Sequence, residues 1–103
     1  MFGLRDSDIE VIGWIARQHP VIEQIFIYGS RARGTHKHGS DIDLAVVGGG
    51  VDRGVISNVH YWLNEESPTP YFYDVLHLDS LKDEALRKEI DRDKRVIYQR
   101  VVG

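Results

Sequence analysis

The chain has 103 residues, of which 42% are hydrophobic and 28% charged, and its net charge is −3. This length suits one compact domain, assigned to residues 1–103, and the composition excludes a disordered chain. The negative charge disfavours nonspecific binding to nucleic acids, and the lack of cysteine excludes disulfides and thiolate metal sites. No apolar run is long enough to span a membrane, so the sequence predicts a soluble, cytoplasmic protein.

Hydrophobic spacing predicts three elements in the first third of the chain. Ser7 and Glu10 form a capping-box pattern ahead of an apolar helical repeat, which predicts a helix over residues 7–18. Residues 25–28, Ile-Phe-Ile-Tyr, predict a short buried strand that runs into a turn. Residues 30–34 could then form a short helix that begins at that turn.

The rest of the chain alternates strands and helices. We predict a strand over residues 41–47, an amphipathic helix carrying Val55, Val59, Trp62 and Leu63, a strand over residues 71–78, a helix capped by Asp79 or Ser80, and a last strand over residues 95–99. The order αβαβαβαβ favours an α/β (α+β) fold, in which helices pack against one sheet.

Two aspartates one residue apart open the second predicted strand. Side chains alternate along a strand, so Asp41 and Asp43 are expected on one face, with Cα atoms about 6–7 Å apart. Two carboxylates this close repel each other, and a divalent cation between them would relieve that repulsion. Oxygen ligands suit Mg²⁺, which completes its shell with water and phosphate oxygens. The pair therefore indicates a metal and phosphate site; a solvent-facing strand entrance is the alternative interpretation.

The Gly-Ser turn before the short helix supplies context for that pair. Gly29 lets a phosphate approach the backbone closely, and Ser30 adds a hydroxyl at a helix start, where free N–H groups attract anions. Arg31 and Arg33 add positive charge to the same segment. By itself, a Gly-Ser turn is usually only a turn, and either arginine could equally be a structural residue.

A third carboxylate, Asp74, interrupts the apolar strand predicted over residues 71–78. An unpaired buried charge there is costly unless a partner or a metal compensates it. Asp74 is therefore expected either at an exposed strand end or facing Asp41 and Asp43. In the second arrangement three carboxylates converge on one metal-phosphate site.

Together these residues resemble the signature of the minimal nucleotidyltransferases in the DNA polymerase β superfamily. That signature is Gly-Ser, ten residues, then Asp-x-Asp, and here Gly29-Ser30 precedes Asp41-Ile42-Asp43 by ten residues. The flanking Ala-Arg-Gly at residues 32–34 and Ser40 also match the common form. The resemblance covers nearly the whole chain, and it implies a palm-like nucleotidyltransferase fold with a small mixed sheet and flanking helices.

The resemblance also implies a mechanism and a set of site residues. Two Mg²⁺ ions would be held on a nucleoside triphosphate such as ATP, and an attacking hydroxyl would displace pyrophosphate from the α-phosphorus. Residues implied as catalytic and metal-binding are Asp41, Asp43 and Asp74. Residues implied as nucleotide-binding are Gly29, Ser30, Arg33 and Ser40.

Small members of this superfamily resemble the MNT antitoxins, whose partners are helical HEPN-domain toxins. The resemblance implies that this chain transfers AMP to a hydroxyl of such a partner and so silences it. One alternative is a catalytically silent module that neutralises its partner by occlusion, an effect that Asp43→Ala would leave intact. A zinc protein using His36 and His38 is a further alternative, although their spacing is unlike common zinc sites.

Overall fold

The structure is a computed structural model that describes residues 1–37 and 39–101. The predicted alternation of helices and strands is confirmed. Its elements are α1 (Asp6–Arg17), β1 (Gln24–Tyr28), α2 (Ser30–Arg33), β2 (Ile42–Val47), α3 (Arg53–Tyr61) with a π-helical turn (Trp62–Glu66), β3 (Tyr73–His77), α4 (Glu84–Asp93) and β4 (Arg95–Gln99). In the described ranges, no helix combines the length and apolar character needed to cross a membrane.

One mixed sheet organises the chain, with the strand order β3-β2-β1-β4. Strand β1 pairs antiparallel with both β2 and β4, whereas β2 and β3 run parallel. Because β2 and β3 are parallel, the chain between them must cross back over the sheet, and α3 with its π-helical turn makes that crossing. The expected fold, a small mixed sheet with flanking helices, is confirmed.

The two faces of the sheet are covered unequally. Alternate side chains of the strands, such as Ile27 and Leu44, pack with Ile12 of α1 and Leu63 of the π-helical turn in the main core. The opposite face carries a smaller buried cluster, which consists of Tyr28, Ala45, Leu78 and Ile90. The helix that packs on this second face is α4. It leaves the starts of β2 and β3 partly open on that face, which is called the α4 face below.

The helix caps differ from the predicted ones. Helix α1 begins after Arg5, whose backbone N–H donates to Asp8 Oδ2 at 3.0 Å and whose guanidinium also binds that carboxylate. The predicted capping box of Ser7 and Glu10 is therefore wrong. The buried Asp8 side chain, 1% exposed, is instead the one that accepts a hydrogen bond from the backbone N–H at the start of the helix.

Helix α4 begins later than predicted. Asp83 is its cap and accepts a hydrogen bond from the Leu86 N–H at 3.0 Å, so capping by Asp79 or Ser80 is wrong. Asp79 instead accepts a hydrogen bond from the Gly48 N–H at 3.0 Å, across the end of the sheet. A tertiary contact thus engages the residue that the local pattern assigned to the helix.

Candidate active site

The central feature of the candidate site is a pair of aspartates on neighbouring strands. Asp43 of β2 lies in register with Asp74 of the parallel strand β3, and alternation places both on the α4 face. Asp43 is half-buried and Asp74 is exposed. Asp74 is thus at once solvent-accessible and adjacent to the Asp-x-Asp motif.

Asp41 stands just outside the sheet. Strand β2 begins at Ile42, one residue later than predicted, and the exposed Asp41 precedes it. Burial raises the pKa of Asp43, and the negative charges of Asp74, Asp41 and Glu89 raise it further. Asp43 is therefore the carboxylate on which the other negative charges act, and a cation at this position would lower its pKa again.

Gly29 brings the backbone of the loop against that carboxylate. Its φ of 75° and ψ of −154° lie in a region that residues with a side chain rarely adopt. A Cβ at this position would lie 2.8 Å from Asp43 Oδ2, closer than the two atoms can approach. The glycine therefore allows both the turn and the close packing of loop against motif.

The short helix α2 follows directly from this turn. It begins at the half-exposed Ser30 and ends at Gly34, which has the left-handed φ of 76° and ψ of 14°. The Thr35 N–H donates to the Ser30 carbonyl oxygen at 2.9 Å and closes the end of this turn of helix. Helix α2 thus starts one residue after Gly29, the residue whose backbone lies against the Asp43 carboxylate.

Arg33 pairs with two carboxylates of α4 and holds α2 against that helix. Its Nη1 lies 2.7 Å from Asp93 Oδ2 and 3.7 Å from Glu89 Oε1. Hydrogen bonds from Arg92 and from Arg33 hold the pKa of Asp93 well below its usual range. Arg33 therefore already has a carboxylate partner, and a bound phosphate would have to share the Arg33 guanidinium with Asp93.

Ser40 shapes the loop that leads into the motif. Its hydroxyl donates to the Lys37 carbonyl oxygen at 2.6 Å and accepts from the Lys37 N–H at 3.0 Å. These contacts are local to the loop. Among the described residues, both hydrogen bonds of the Ser40 side chain are to Lys37, and its part in nucleotide binding stays a prediction.

Two site neighbours were missed by sequence reasoning. Tyr28 lies opposite Asp43 across β1 and β2 and is 6% exposed, and burial raises the pKa of its hydroxyl, as do the charges of Asp43, Asp74 and Glu89. Glu89 comes from α4, 46 positions along the chain from Asp43. Tyr28 could have been found from its place at the end of a strand next to Gly29, whereas no local signal marked Glu89.

The residues at the site fit magnesium better than a metal that needs a complete protein cage. Within residues 1–37 and 39–101, no three His, Asp or Glu side chains form a ready-made metal site. Asp43 and Asp74 nevertheless offer adjacent carboxylates, with Asp41 close enough to influence Asp43. Mg²⁺ commonly takes one or two carboxylates and fills its other positions with water and phosphate oxygens. Such a site is completed by its substrate.

The zinc alternative depends on His36 and His38, and the structure describes only the first of them. The His36 ring packs against the N-terminal segment, so that a Cβ on Gly3 would lie 2.5 Å from His36 Nε2. His36 Nδ1 is buried and has no hydrogen-bond partner among the described residues. His38 lies outside them.

Solved structures with the same fold include toxin–antitoxin proteins. A crystal structure of a toxin–antitoxin with AMP-PNP contains a chain 22% identical, with a TM-score of 0.72 over 94% of this chain and 75% of that one. The MntA-HepT toxin–antitoxin contains one 18% identical, with a TM-score of 0.69 over 93% and 74%. A tri-AMPylated Shewanella oneidensis HEPN toxin in complex with MNT antitoxin gives 18% and 0.69 over 94% and 74%. At these identities the likeness concerns the fold.

Family membership rests on the sequence itself. Among curated protein sequences, none matches the chain. The family model described as polymerase beta, nucleotidyltransferase matches residues 10–101, which include α2, all four strands and the three aspartates. The chain therefore belongs to the polymerase β nucleotidyltransferase family.

Proposed function

We propose that this protein is a Mg²⁺-dependent nucleotidyltransferase that moves AMP from ATP to a hydroxyl group of a helical HEPN-domain protein and thereby acts as its antitoxin. The observation that carries the proposal is the register of Asp43 with Asp74 beside the Gly29 turn. This arrangement joins two carboxylates to a backbone that a phosphate can approach. Family membership supports the transferase chemistry.

Three aspartates would hold the metal. Asp43 of β2 and Asp74 of β3 are adjacent on one face of the sheet, and Asp41 precedes β2 by one residue, close enough to act on the Asp43 carboxylate. Mg²⁺, when bound, neutralises phosphate charge and polarises the α-phosphorus. Burial and the neighbouring charges of Asp74, Asp41 and Glu89 raise the pKa of Asp43, and a bound cation would offset that repulsion.

The turn between β1 and α2 would receive the phosphates. Gly29 has no side chain to displace the Asp43 carboxylate from this turn, and Ser30 would offer its hydroxyl at the start of α2. Arg33 would add positive charge while keeping its ion pair with Asp93. Ser40 would act by shaping the loop before Asp41.

The transfer would proceed by in-line attack of the acceptor hydroxyl. A new bond forms between the acceptor oxygen and the α-phosphorus, the bond from the α-phosphorus to the bridging oxygen breaks, and pyrophosphate leaves. Asp74 is exposed and is the carboxylate assigned to accept the hydroxyl proton. Electrostatic stabilisation and alignment of the two reactants together supply most of the catalysis in such a reaction.

The structural neighbours support the choice of partner and nucleotide. One similar structure contains AMP-PNP, and another contains a HEPN toxin carrying three AMP groups together with its MNT antitoxin. An acceptor that is itself a folded protein also suits a site at the open face of a small sheet.

Intact-mass spectrometry tests the proposal. A purified HEPN-domain protein is incubated with the wild-type protein, ATP and Mg²⁺, in parallel with Asp43→Ala and with Asp91→Asn. Asp91 is an exposed carboxylate paired with Lys94 at 3.1 Å, and its loss controls for charge. We expect a gain of whole AMP units with wild type and Asp91→Asn only. A complex without any mass gain would instead support neutralisation by occlusion.

A further inference from the structure

We propose that Arg31 is a positioning residue, which orients the backbone that carries Asp41; this inference rests on the proposed function. Arg31 directly follows Ser30 in α2, yet its side chain is only 3% exposed and points under the loop instead of toward the open face. Its contacts differ in kind from those of Arg33, which pairs with carboxylates.

The Arg31 guanidinium binds backbone carbonyls of two separate segments. Nε and Nη2 donate to the Ser40 carbonyl oxygen at 3.1 and 2.7 Å, and Nη1 donates to the Phe2 carbonyl oxygen at 3.0 Å. The guanidinium carbon lies 5.0 Å from the centre of the Tyr71 ring. One side chain thereby joins α2, the N-terminal segment and the loop that ends before Asp41.

This burial is expensive for the protein. Throughout residues 1–37 and 39–101, Arg31 forms no ion pair, and its guanidinium binds backbone carbonyls and lies over the Tyr71 ring. An apolar side chain of similar volume would avoid the desolvation cost. Stability alone therefore does not explain an arginine at this position. Its two hydrogen bonds to the Ser40 carbonyl, which fix the orientation of that carbonyl, do explain it.

The Ser40 carbonyl, which Arg31 binds, determines the backbone orientation at Asp41. The Ser40 carbonyl and the Asp41 N–H belong to one planar peptide unit, so fixing the oxygen fixes the plane from which Asp41 continues. The ladder between β2 and β3 begins only at Ile42, with the Ile42 N–H donating to the Phe72 carbonyl oxygen at 2.9 Å. Asp41 thus lies between two anchored groups, the sheet on one side and Arg31 on the other.

The same side chain sets the spacing between the two parts of the proposed site. Its backbone belongs to the turn that would bind the phosphates, and its guanidinium holds the peptide before the proposed metal ligand. Loss of the guanidinium would free the Ser40–Asp41 peptide and leave Asp43 and Asp74 in their strands. The expected defect is therefore in metal-dependent nucleotide binding.

Titration of Mg²⁺ at fixed AMP-PNP, followed by calorimetry without acceptor protein, tests the inference. The variants are Arg31→Lys, which keeps the charge and can donate to one carbonyl, and Arg31→Met, which cannot donate. Arg87→Lys is the matched control, because the Arg87 Nη2 also donates to two carbonyls, those of Leu78 and Leu81, away from Asp41. Thermal melting checks that each variant folds.

We expect Arg31→Met to need about 10- to 100-fold more Mg²⁺ for half-maximal binding, the range typical of groups that orient metal ligands. Arg31→Lys should lie between Arg31→Met and wild type, and Arg87→Lys should match wild type. A wild-type Mg²⁺ midpoint in both folded Arg31 variants would overturn the positioning role. If wild type itself shows no Mg²⁺-dependent binding, the proposed function fails and this inference fails with it.

Discussion

Asp43 on β2 lies directly beside Asp74 on the parallel strand β3, in the same register. Two carboxylates so placed weaken the sheet, because like charges side by side on one face repel. This repulsion occurs where the Gly29 turn contacts the Asp43 carboxylate. The stability of the metal-free protein should therefore report on the site without any assay of activity.

We expect Asp43→Asn to stabilise the metal-free protein by up to about 1 kcal/mol, because it removes a half-buried charge flanked by like charges. Mg²⁺ with ATP should raise the melting temperature of wild type and leave that of Asp43→Asn unchanged. Urea unfolding and thermal melting measure the two effects. Asp91→Asn serves as the control; an equal gain in stability there would show that the gain comes from net charge alone.

The stability difference between wild type and Asp43→Asn should depend on pH. The pKa of Asp43 is raised in the folded state, chiefly by burial, so the folded protein binds the proton more tightly than the unfolded chain does. Wild type should therefore match Asp43→Asn near pH 3 and lose stability relative to it as the pH rises from about 4 toward 7. A difference that stays constant over this range would contradict the raised pKa. Urea titrations at several pH values measure it.

Gly29→Ala should reduce both stability and activity. The positive φ costs about 1–3 kcal/mol for a residue with a side chain, and the new Cβ would push the Asp43 carboxylate out of position. Gly34→Ala is the matched control, since Gly34 shares the positive φ but has open space where its Cβ would be. We expect Gly34→Ala to cost about 1 kcal/mol and to retain nucleotide binding. Equal loss of binding in both variants would contradict the close approach of loop and motif.

Asp93→Asn should destabilise the protein, with a pH dependence opposite in sign to that of Asp43→Asn. Hydrogen bonds from Arg92 and Arg33 lower the pKa of Asp93 below its ordinary value of 3.8. The stability that this ionised group contributes is fully present above about pH 4 and is lost as the pH falls below that. Melting curves of wild type and Asp93→Asn should therefore differ at pH 7 and converge in acid. Divergence in acid would contradict the ion pair.

The glycine triplet at residues 48–50 makes a further test of packing. A Cβ on Gly48 would collide with the Val21 carbonyl oxygen, whereas a Cβ on Gly49 would meet open space. We expect Gly48→Ala to cost about 1–3 kcal/mol and Gly49→Ala to stay within about 0.5 kcal/mol of wild type. Urea unfolding of the two variants decides. Similar stabilities would mean that the triplet is only a flexible turn.

Features that depend on local periodicity could be predicted from the sequence. The β-branched and aromatic run at residues 25–28 was enough to find β1, and the spacing of Ile12 and Ile15 was enough to find α1. The caps could not be predicted in the same way. Arg5 and Asp79 each act through a contact that competes with the local pattern, and for Asp79 that contact is with the distant residue Gly48.

The candidate site shows the same division. The Gly29-Ser30 and Asp41-Ile42-Asp43 spacing identified the family, because it is a feature of one short segment. The ion pair of Arg33 with Asp93 spans 60 positions, and the contact of Arg31 with Ser40 depends on which way a short helix turns its side chains. Neither is visible in a spacing pattern. Both roles assigned to these arginines follow from tertiary packing.

Because β2 and β3 pair in parallel, the length of the chain that connects them does not set how Asp43 and Asp74 lie relative to each other. The connection through α3 and the π-helical turn packs on the α1 face, through Val59 and Leu63, while Asp43 and Asp74 lie on the other face. Residues could be added to or removed from the loop at residues 67–70 without altering which carboxylate stands beside which. The number of residues between the two aspartates is therefore free to drift over evolution, whereas their ladder positions are not.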